Sequence, residues 1–390
     1  MNFFLKDLGA AVPPDKILKI SKDFADCSHP NKLNLGVGIY FDNQARSFVL
    51  KAVKRAEQRV IKKKERNQNY IPASGLDIFL ETSRDLVFED LSLSVAAQAT
   101  AGGTQALSLG AKMIKKGFSS RVAIIGSPAW PNHFQIFESL GFEVKTYPNL
   151  RNQRADEEAL FAALEKAPPG STVLFQSGQA NNPSGVNFSA WSQIADLMSR
   201  KRFLAFFDCA YAGFAHSVSE DTEEIRYFAE RGIPTVVAFS YSKNMSLYKQ
   251  RTGALLIPAE NKKQVDLLTS HMRRFVRVEN SMPPAHGQEI AVEIFSDLAL
   301  RKEWLSELSQ LRDNLDSRRK NLAKLAGEKF DFLSRQKGLF SILDISSEQI
   351  DFLRERYGIF LVGNGRINFG GLPDDKQEYL GRALRSLNYS

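Results

Sequence analysis

The sequence predicts an α/β protein with a mostly parallel sheet in a large domain and a smaller α+β unit toward the C-terminus. Continuously apolar segments such as 203–207 alternate with helix-period segments through the middle of the chain. That pattern is typical of parallel strands covered by helices on both faces. An almost uninterrupted helical stretch follows from residue 290 to about 329. The length of 390 residues exceeds what one hydrophobic core normally serves.

The elements of the large domain are expected in a regular order. Apolar residues at helical spacing predict helices, and apolar runs bounded by turn residues predict strands. We expect helices at residues 53–61, 104–116, 157–166, 191–201 and 222–231. We expect strands at residues 121–125, 172–175, 203–207, 235–239 and 254–257.

The C-terminal part has a different pattern. Within the long helical stretch, Trp304, Leu308, Leu311 and Leu315 recur at 4-3-4 spacing, which predicts a core-facing stripe. The segments that follow alternate between short apolar runs and one helix-period segment, which predicts the small α+β unit. These segments are 340–343, 349–357, 359–362 and 366–369.

Composition excludes several classes of protein. The chain is 43% hydrophobic and 25% charged, as in ordinary soluble enzymes. Two cysteines and five scattered histidines predict neither a disulfide framework nor a zinc site, and indicate a reducing compartment. The N-terminal segment is too short and too acidic for a targeting peptide. No run of the chain approaches the ~20 apolar residues of a membrane span. We therefore expect a cytoplasmic protein without a metal or a membrane partner.

The net formal charge of +8 raises the alternative of nucleic-acid binding. The densest basic run, residues 62–66, stands at the end of a predicted helix. Cations suit the negative end of a helix dipole. No nucleic-acid-binding motif accompanies the run, so we favour a solvated helix end and expect no nucleic-acid partner. A basic surface also attracts anionic substrates.

The stretch 240–253 carries the most informative chemistry. Lys243 stands between two serines just after a predicted strand, and strand ends are where open α/β sheets place functional groups. Burial there disfavours the charged amine and leaves a nucleophile suited to Schiff-base formation. Ser240, Ser242 and Arg251 supply hydroxyls and a bidentate fork for a phosphate. The stretch indicates a phosphorylated aldehyde cofactor, with a solvated basic turn as the alternative.

Other segments offer groups that such a cofactor needs. Gly103 and Thr104 open a predicted helix, whose N–H groups favour an anion, and a simple helix cap is the alternative. Asp208 ends an apolar strand, where its carboxylate needs a cation such as a protonated pyridine nitrogen, unless it caps the next helix. Trp130 offers a flat ring for stacking, or belongs to an interface or to the core. Arg366 leads into a strand, or is a surface charge.

These segments occur in one order along nearly the whole chain, from about residue 8 to 387, and together they resemble a known family. The chain resembles the aspartate/aromatic aminotransferase group of the fold-type-I enzymes that use pyridoxal 5′-phosphate. The segments that carry the resemblance are 34–40 (Asn-Leu-Gly-Val-Gly-Ile-Tyr), Tyr70, 103–104 (Gly-Thr), 130–133 (Trp-Pro-Asn-His), 182–185 (Asn-Pro-Ser-Gly), 208–211 (Asp-Cys-Ala-Tyr), 240–244 (Ser-Tyr-Ser-Lys-Asn), 251–253 (Arg-Thr-Gly) and 365–368 (Gly-Arg-Ile-Asn).

The resemblance implies a role for each matching residue. Lys243 holds the cofactor covalently and moves a proton at the substrate Cα, and Asp208 pairs with the pyridine nitrogen. Tyr211 and Asn182 donate hydrogen bonds to the phenolic oxygen, and Trp130 stacks on the ring. The phosphate ligands implied are Gly103, Thr104, Ser240, Ser242 and Arg251, with Tyr70 from the neighbouring subunit of a homodimer.

The resemblance also implies a substrate site and a division into domains. Arg366 grips the substrate α-carboxylate, and Gly38, Trp130 and Asn182 lie beside the substrate. Residues 1–45 form an N-terminal arm and part of the small domain, residues 46–300 the large cofactor-binding domain, and residues 301–390 the small domain with its long connecting helix.

Substrate choice depends on one further arginine. In the family, an arginine of the partner subunit pairs with the side-chain carboxylate of aspartate or glutamate. Aligning residues 281–284 (Ser-Met-Pro-Pro) with the family's Ser-Asn-Pro-Pro places Arg277 at that position, with Arg273 and Arg274 as alternatives. A bidentate arginine–carboxylate contact favours dicarboxylates, because a neutral substrate leaves the buried fork unpaired.

The chain departs from the family at four positions. Ser177 and Asn181 stand where histidines are usual, so the hydrogen-bond network behind the cofactor aspartate is altered. Met282 replaces an asparagine near Arg277, and Ser246 replaces a glycine after the lysine.

The sequence therefore predicts an aspartate aminotransferase that converts L-aspartate and 2-oxoglutarate to oxaloacetate and L-glutamate. An aromatic-amino-acid aminotransferase, or an enzyme with both specificities, is the first alternative, since 28 phenylalanines leave room for an apolar pocket. A catalytically inactive homologue is the second, and the joint presence of Lys243, Asp208, Arg251 and Arg366 argues against it.

Overall fold

A computed structural model gives the structure of the chain, and it describes residues 16–42, 44, 46–63, 68–177 and 185–387. Within these ranges, the helices are α1 (Lys16–Asp26), α2 (Lys51–Lys62), α3 (Asp77–Phe88), α4 (Gly102–Gly117), α5 (Pro131–Ser139), α6 (Glu157–Lys166), α7 (Trp191–Lys201), α8 (Glu223–Glu230), α9 (Lys262–Asn280), α10 (His286–Ser296), α11 (Leu298–Ala326), α12 (Ser347–Tyr357) and α13 (Gln377–Ser386). The strands are β1 (Leu33–Asn34), β2 (Ser94–Ala101), β3 (Val122–Ser127), β4 (Glu143–Pro148), β5 (Leu150–Arg151), β6 (Arg154–Ala155), β7 (Thr172–Gln176), β8 (Leu204–Cys209), β9 (Thr235–Ser240), β10 (Thr252–Ala259), β11 (Phe340–Ile342), β12 (Ile359–Phe360) and β13 (Arg366–Asn368).

Several helices begin where a polar side chain satisfies the first backbone N–H groups. The Asp156 carboxylate accepts a hydrogen bond from the Ala159 N–H at the start of α6, and Asp297 does the same at the start of α11. Ser346 and Gln349 form a reciprocal capping box that begins α12. Such caps supply partners that the helix itself cannot provide.

A seven-stranded sheet is the centre of the molecule. Its strand order is β2-β10-β9-β8-β7-β3-β4. Strands β9, β8, β7, β3 and β4 pair in parallel, whereas β10 runs antiparallel to both neighbours, β2 and β9. The predicted mostly parallel α/β sheet is confirmed. Because β10 alone is reversed, its first residue lies at the edge where β2, β8 and β9 end.

Both faces of the sheet are buried, as the continuously apolar strands predicted. In β8, Leu204 and Phe206 face one core cluster with helix α4, while Ala205 and Phe207 face the other. The second cluster also contains the predicted stripe of α11, in which Trp304 is completely buried. The Trp304 indole N–H donates to the Asn244 carbonyl over 2.7 Å, so this helix supports the chain that follows β9.

Two small sheets connect distant parts of the chain. Strand β1 pairs in parallel with β12, and β11 pairs antiparallel with β13. The pairing of β1 with β12 brings residues 33–34 beside residues 359–360. The domain boundaries given above stay a prediction.

The structure contains elements that the sequence patterns do not predict. These are the helices α1, α3, α5, α9 and α13 and the strands β1, β2, β4, β5 and β6. The predicted helix at 290–329 is divided at Asp297, which caps α11 after α10 ends. Helix α2 ends at Lys62, and residues 64–66 of the basic run lie outside the described residues. Of the helices described, none combines the length and the apolar character needed to cross a membrane.

Candidate active site

Most of the predicted site residues line one cavity of about 210 Å³ at the edge where β2, β8 and β9 end. These residues are Gly38, Gly103, Thr104, Trp130, Asp208, Tyr211, Ser240, Ser242, Lys243, Arg251 and Arg366. They come from seven separate segments, which the sheet order and the reversed strand β10 bring together. Parallel strand ends are the usual place for such a site.

Lys243 projects into this cavity just beyond the end of β9. Its Nζ lies 4.8 Å from the centre of the Tyr211 ring. Burial lowers the pKa of the Lys243 amine to about 8, with Asp208 opposing the shift and Arg251 adding to it. The amine is therefore available in its neutral, nucleophilic form near neutral pH.

Asp208 ends β8 and is paired with a histidine. The Asp208 carboxylate is 4% exposed, and its Oδ2 lies 2.7 Å from Nε2 of His133, which is 1% exposed. Helix α5 positions His133, since the first turn brings the residue three positions after Trp130 back toward the sheet. His133 lies within the Trp-Pro-Asn-His segment, but no local pattern in the sequence reveals that its partner is 75 positions away.

The start of α4, the end of β9 and the start of β10 form a seat for an anion. Strand register brings Ala101 opposite Thr252, and Ser240 opposite Gly253. A Cβ at Gly103 would lie 3.4 Å from the Ser240 hydroxyl oxygen, so the start of α4 adjoins that hydroxyl, and Ser242 lines the same cavity. Such a helix N-terminus with hydroxyls around it favours a phosphate.

Arg251 closes this seat from one side. Its Nη1 donates to the Ser242 hydroxyl over 3.3 Å and to the Tyr248 carbonyl over 3.2 Å, and Nη2 donates to the Ala101 carbonyl over 3.4 Å. A Cβ at Gly102, whose φ is +76°, would lie 2.5 Å from the Arg251 Nη2. Only glycine leaves room for the guanidinium beside the helix start.

Tyr211 and Gly38 meet on the opposite wall. Tyr211 is 8% exposed, and burial raises the pKa of its phenol. A Cβ at Gly38 would lie 2.6 Å from the Tyr211 hydroxyl oxygen and 3.0 Å from the Phe340 ring. The lack of a side chain at Gly38 therefore shapes this wall.

Arg366, on β13, points an incompletely paired guanidinium into the cavity. The side chain is 7% exposed, and its Nη2 donates to the Gly36 carbonyl over 2.9 Å. Its Nε is buried and has no hydrogen-bond partner among the described residues. The guanidinium lies 4.7 Å from the centre of the Phe340 ring, a residue that the sequence interpretation did not single out. A buried donor without a partner is suited to an anionic ligand.

Two of the described site residues, Tyr70 and Arg277, do not line the cavity of this single chain. Tyr70 is 86% exposed, and Arg277 is exposed on α9, as are its alternatives Arg273 and Arg274. Asn182 lies outside the described residues, together with the departure at Asn181.

The other departures from the family can be placed. Ser177 donates its hydroxyl to the Asp221 carbonyl over 2.7 Å and its N–H to the Asp208 carbonyl over 3.0 Å. Met282 accepts a hydrogen bond at sulfur from the Ile71 N–H, beside Tyr70. Ser246 has φ of +53°, a conformation that glycine adopts more easily.

The Asp221 carboxylate orders the loop that carries Tyr211. Its oxygens accept hydrogen bonds from the N–H groups of Gly213, Ala215 and His216. Because the Ser177 hydroxyl donates to the Asp221 carbonyl, a hydrogen bond also links the end of β7 to the loop after β8. Ser177 therefore connects the backbone of Asp208 to the loop that carries Tyr211.

Comparison with known proteins identifies the family. Residues 30–384 match the family model "Aminotransferase class I and II". The aspartate aminotransferase of Escherichia coli is 35% identical over 388 residues, covering 96% of this chain and 98% of that protein. The aromatic-amino-acid aminotransferase of Pseudomonas aeruginosa is 33% identical, covering 96% of this chain and 97% of that protein.

Solved structures agree with the sequence relatives. The crystal structure of an aromatic-amino-acid aminotransferase from Burkholderia pseudomallei, covalently bound to pyridoxal phosphate, superposes with a TM-score of 0.94. It is 30% identical, and the match covers 99% of this chain and 100% of that one. The predicted fold and family are both confirmed, and the chain belongs to the class I and II aminotransferases.

Proposed function

We propose that this aminotransferase uses pyridoxal 5′-phosphate and moves an amino group between L-aspartate and 2-oxoglutarate, giving oxaloacetate and L-glutamate. The observation that carries the proposal is the cavity itself. Three groups line it: the Lys243 amine, whose pKa is lowered, the buried Asp208 carboxylate and the incompletely paired Arg366 guanidinium. The relatives named for aspartate and for aromatic amino acids support the same reaction type.

The residues of the cavity fit this cofactor at both of its ends. The seat formed by the α4 start, Ser240, Ser242 and Arg251 suits the phosphate, and Arg251 contributes the permanent positive charge. Any Cβ at Gly102 would displace the Arg251 guanidinium from its place beside the start of α4. At the opposite end, Asp208 offers a carboxylate to a protonated ring nitrogen.

His133 extends the proposed role of Asp208. Its Nε2 lies 2.7 Å from the carboxylate, so the imidazole fixes the orientation of the carboxylate toward the ring. When bound, the cofactor withdraws electrons from the substrate Cα, and a fixed negative charge at Asp208 maintains that capacity. Trp130 lies on the same wall, with its ring centre 5.4 Å from that of His133, and offers the stacking face.

Lys243 is the proposed general base and acid. Its Nζ would take the proton from the substrate Cα and, as the resulting ammonium, would give it up at the C4′ carbon of the cofactor in the same half-reaction. The lowered pKa of about 8 keeps the amine close to the operating pH, where such transfer is most efficient. Tyr211, whose ring lies 4.8 Å away, keeps its phenol protonated and able to donate, because burial raises its pKa.

Arg366 is the proposed ligand of the substrate α-carboxylate. Its Nη2 is held by the Gly36 carbonyl, so the guanidinium is already oriented before substrate enters. The buried Nε that lacks a partner among the described residues gives a carboxylate oxygen a charge-assisted hydrogen bond.

A second copy of the chain is proposed to complete the site. Tyr70 and Arg277 are both exposed in the single chain, and Val278 beside Arg277 is 81% exposed. A homodimer would cover these residues and present Tyr70 to the phosphate and Arg277 to the substrate side-chain carboxylate. We also propose that the enzyme is cytoplasmic and that its domains divide near residues 45 and 300.

Aromatic specificity is the second candidate. Two observations favour it: a relative and a solved structure are named for aromatic amino acids, and Phe340 and Leu107 give the cavity apolar walls. An apolar substrate side chain would gain from such walls by burial.

A half-reaction screen tests the proposal and separates the candidates. The purified enzyme, loaded with pyridoxal 5′-phosphate, is mixed with one amino acid at a time, and the conversion to the pyridoxamine form is followed by visible absorbance. We expect L-aspartate and L-glutamate to react fastest. Faster conversion by L-phenylalanine would establish the aromatic alternative, and no conversion by any amino acid would reject the proposed function.

A further inference from the structure

Arg319 of α11 is a completely enclosed cation outside the cavity. It is 1% exposed, and carbonyl and hydroxyl oxygens accept its hydrogen bonds. Its Nη1 donates to the Ser341 hydroxyl over 2.6 Å, and its Nη2 donates to the carbonyls of Gly338 over 2.8 Å and Phe340 over 2.6 Å. The guanidinium also lies 4.2 Å from the centre of the Phe369 ring. One side chain therefore holds the main chain on both sides of Phe340.

The segment held in this way forms part of the substrate side of the cavity. The Phe340 ring lies 4.7 Å from the Arg366 guanidinium and packs edge-on against Tyr211, with ring centres 5.4 Å apart. The next strand residue but one, Ile342, is paired in register with Arg366. A shift of β11 would therefore move both the ring beneath Arg366 and the strand that carries it.

We propose that Arg319 is a positioning residue for substrate carboxylate binding, acting by fixing β11 and through it Phe340 and Arg366. The proposal rests on the function proposed above, in which Arg366 binds the α-carboxylate. Arg319 itself touches neither substrate nor cofactor.

The fork shape of the side chain explains why an arginine serves here. A planar guanidinium reaches several acceptors in fixed directions, which a single ammonium group cannot reproduce. Burial lowers the pKa of Arg319 to about 9, so the group stays charged at neutral pH. Its loss leaves the buried oxygens of Gly338, Phe340 and Ser341 without this donor, and the main chain must shift to find others.

The test compares two neighbouring buried arginines of α11 in the cofactor-loaded enzyme. Arg319→Met removes the donor to β11. Arg318→Met is the matched control, because Arg318 is 4% exposed and donates instead to Asp374 and the Phe369 carbonyl. The measured quantities are KM and kcat for L-aspartate and the inhibition constant of succinate, a dicarboxylate without an amino group. If L-phenylalanine proves the better donor, 3-phenylpropanoate replaces succinate.

We expect Arg319→Met to raise the KM and the inhibition constant roughly 10- to 100-fold, the effect of misplacing one charged hydrogen bond. The kcat should fall by a smaller factor, and the visible spectrum of the bound cofactor should be unchanged. Unchanged constants, or equal increases in Arg318→Met, would overturn the proposal, since the second result indicates general loosening. Failure of the wild-type enzyme to transaminate would reject the proposed function instead.

A milder variant keeps the test decisive if Arg319→Met does not fold. Ser341→Ala removes one acceptor of Arg319 and leaves the charge in place. Weaker inhibition by succinate with an unchanged cofactor spectrum supports the proposal. Inhibition equal to that of the wild type overturns it.

Discussion

A single added methyl group at Gly38 should slow the enzyme without unfolding it. The backbone at Gly38 does not have the positive φ that disfavours other residues, so alanine is allowed there. Its Cβ would nevertheless lie 2.6 Å from the Tyr211 hydroxyl oxygen, where 3.4 Å is an ordinary contact. The phenol must therefore retreat by about 0.8 Å, and Phe214 and Phe340 pack edge-on against the same ring.

The size of the effect follows from that displacement. A shift of about 1 Å at a reacting group can cost about 100-fold in rate. We expect Gly38→Ala to lower kcat/KM for L-aspartate by roughly 10- to 100-fold, equivalent to about 1.4 to 2.8 kcal/mol of transition-state stabilisation. Overpacking should lower the free energy of unfolding by about 1 to 3 kcal/mol, which leaves a folded protein.

The assay is steady-state kinetics with L-aspartate and 2-oxoglutarate, beside thermal unfolding of the same preparations. Gly363→Ala is the matched control, because a Cβ there meets nothing within 4 Å and its φ also allows alanine. We expect the control to retain wild-type kinetics. Wild-type kcat/KM in Gly38→Ala would refute the reasoning, as would an equal loss in the control.

Two further predictions concern the cofactor lysine and the proposed partner arginine. Loading of pyridoxal 5′-phosphate onto the cofactor-free protein, followed by visible absorbance, should speed up about tenfold per pH unit up to about pH 8 and then level off. The reason is that only the neutral amine reacts, and burial holds the pKa of Lys243 at about 8; a rate independent of pH between 6 and 8 would contradict this. Arg277→Leu should lower kcat/KM for L-aspartate roughly 100-fold and leave kcat/KM for L-phenylalanine almost unchanged. The reason is that only L-aspartate has a side-chain carboxylate for the Arg277 guanidinium to bind. Arg273→Leu on the same helix is its control, and equal losses on both substrates would show that Arg277 is not the side-chain ligand.

Local patterns predicted the parallel strands at the centre of the sheet, but not strand β2 or the reversed direction of strand β10. The run at 203–207 is apolar throughout and reads directly as a buried strand. Strand β2 was missed because its alanines also suit a helix and Gln98 interrupts it. The buried Gln98 amide instead donates to the carbonyls of Ala73 and Ala99. The composition of β10 does not indicate that this strand is reversed, because an apolar run suits a parallel and an antiparallel strand equally well.

The cofactor site was more predictable than the substrate site. Lys243, Ser240 and Arg251 lie within one short segment, so their chemistry is visible locally. His133 and Phe340 were given no role, because their partners are distant in the sequence and neither forms a local motif. Tyr70 and Arg277 are exposed in the single chain, so their proposed place in a site depends on a second copy.

The hydrogen bond from Arg366 to the Gly36 carbonyl joins two positions separated by 330 residues. Its consequence concerns synthesis of the chain. Domains generally fold as they emerge, the N-terminal part first, so the sheet with Lys243 can assemble early. The proposed carboxylate ligand can be oriented only after the chain has been translated through residue 366. A nascent or C-terminally truncated chain would thus possess the reactive amine without the means of selecting its substrate.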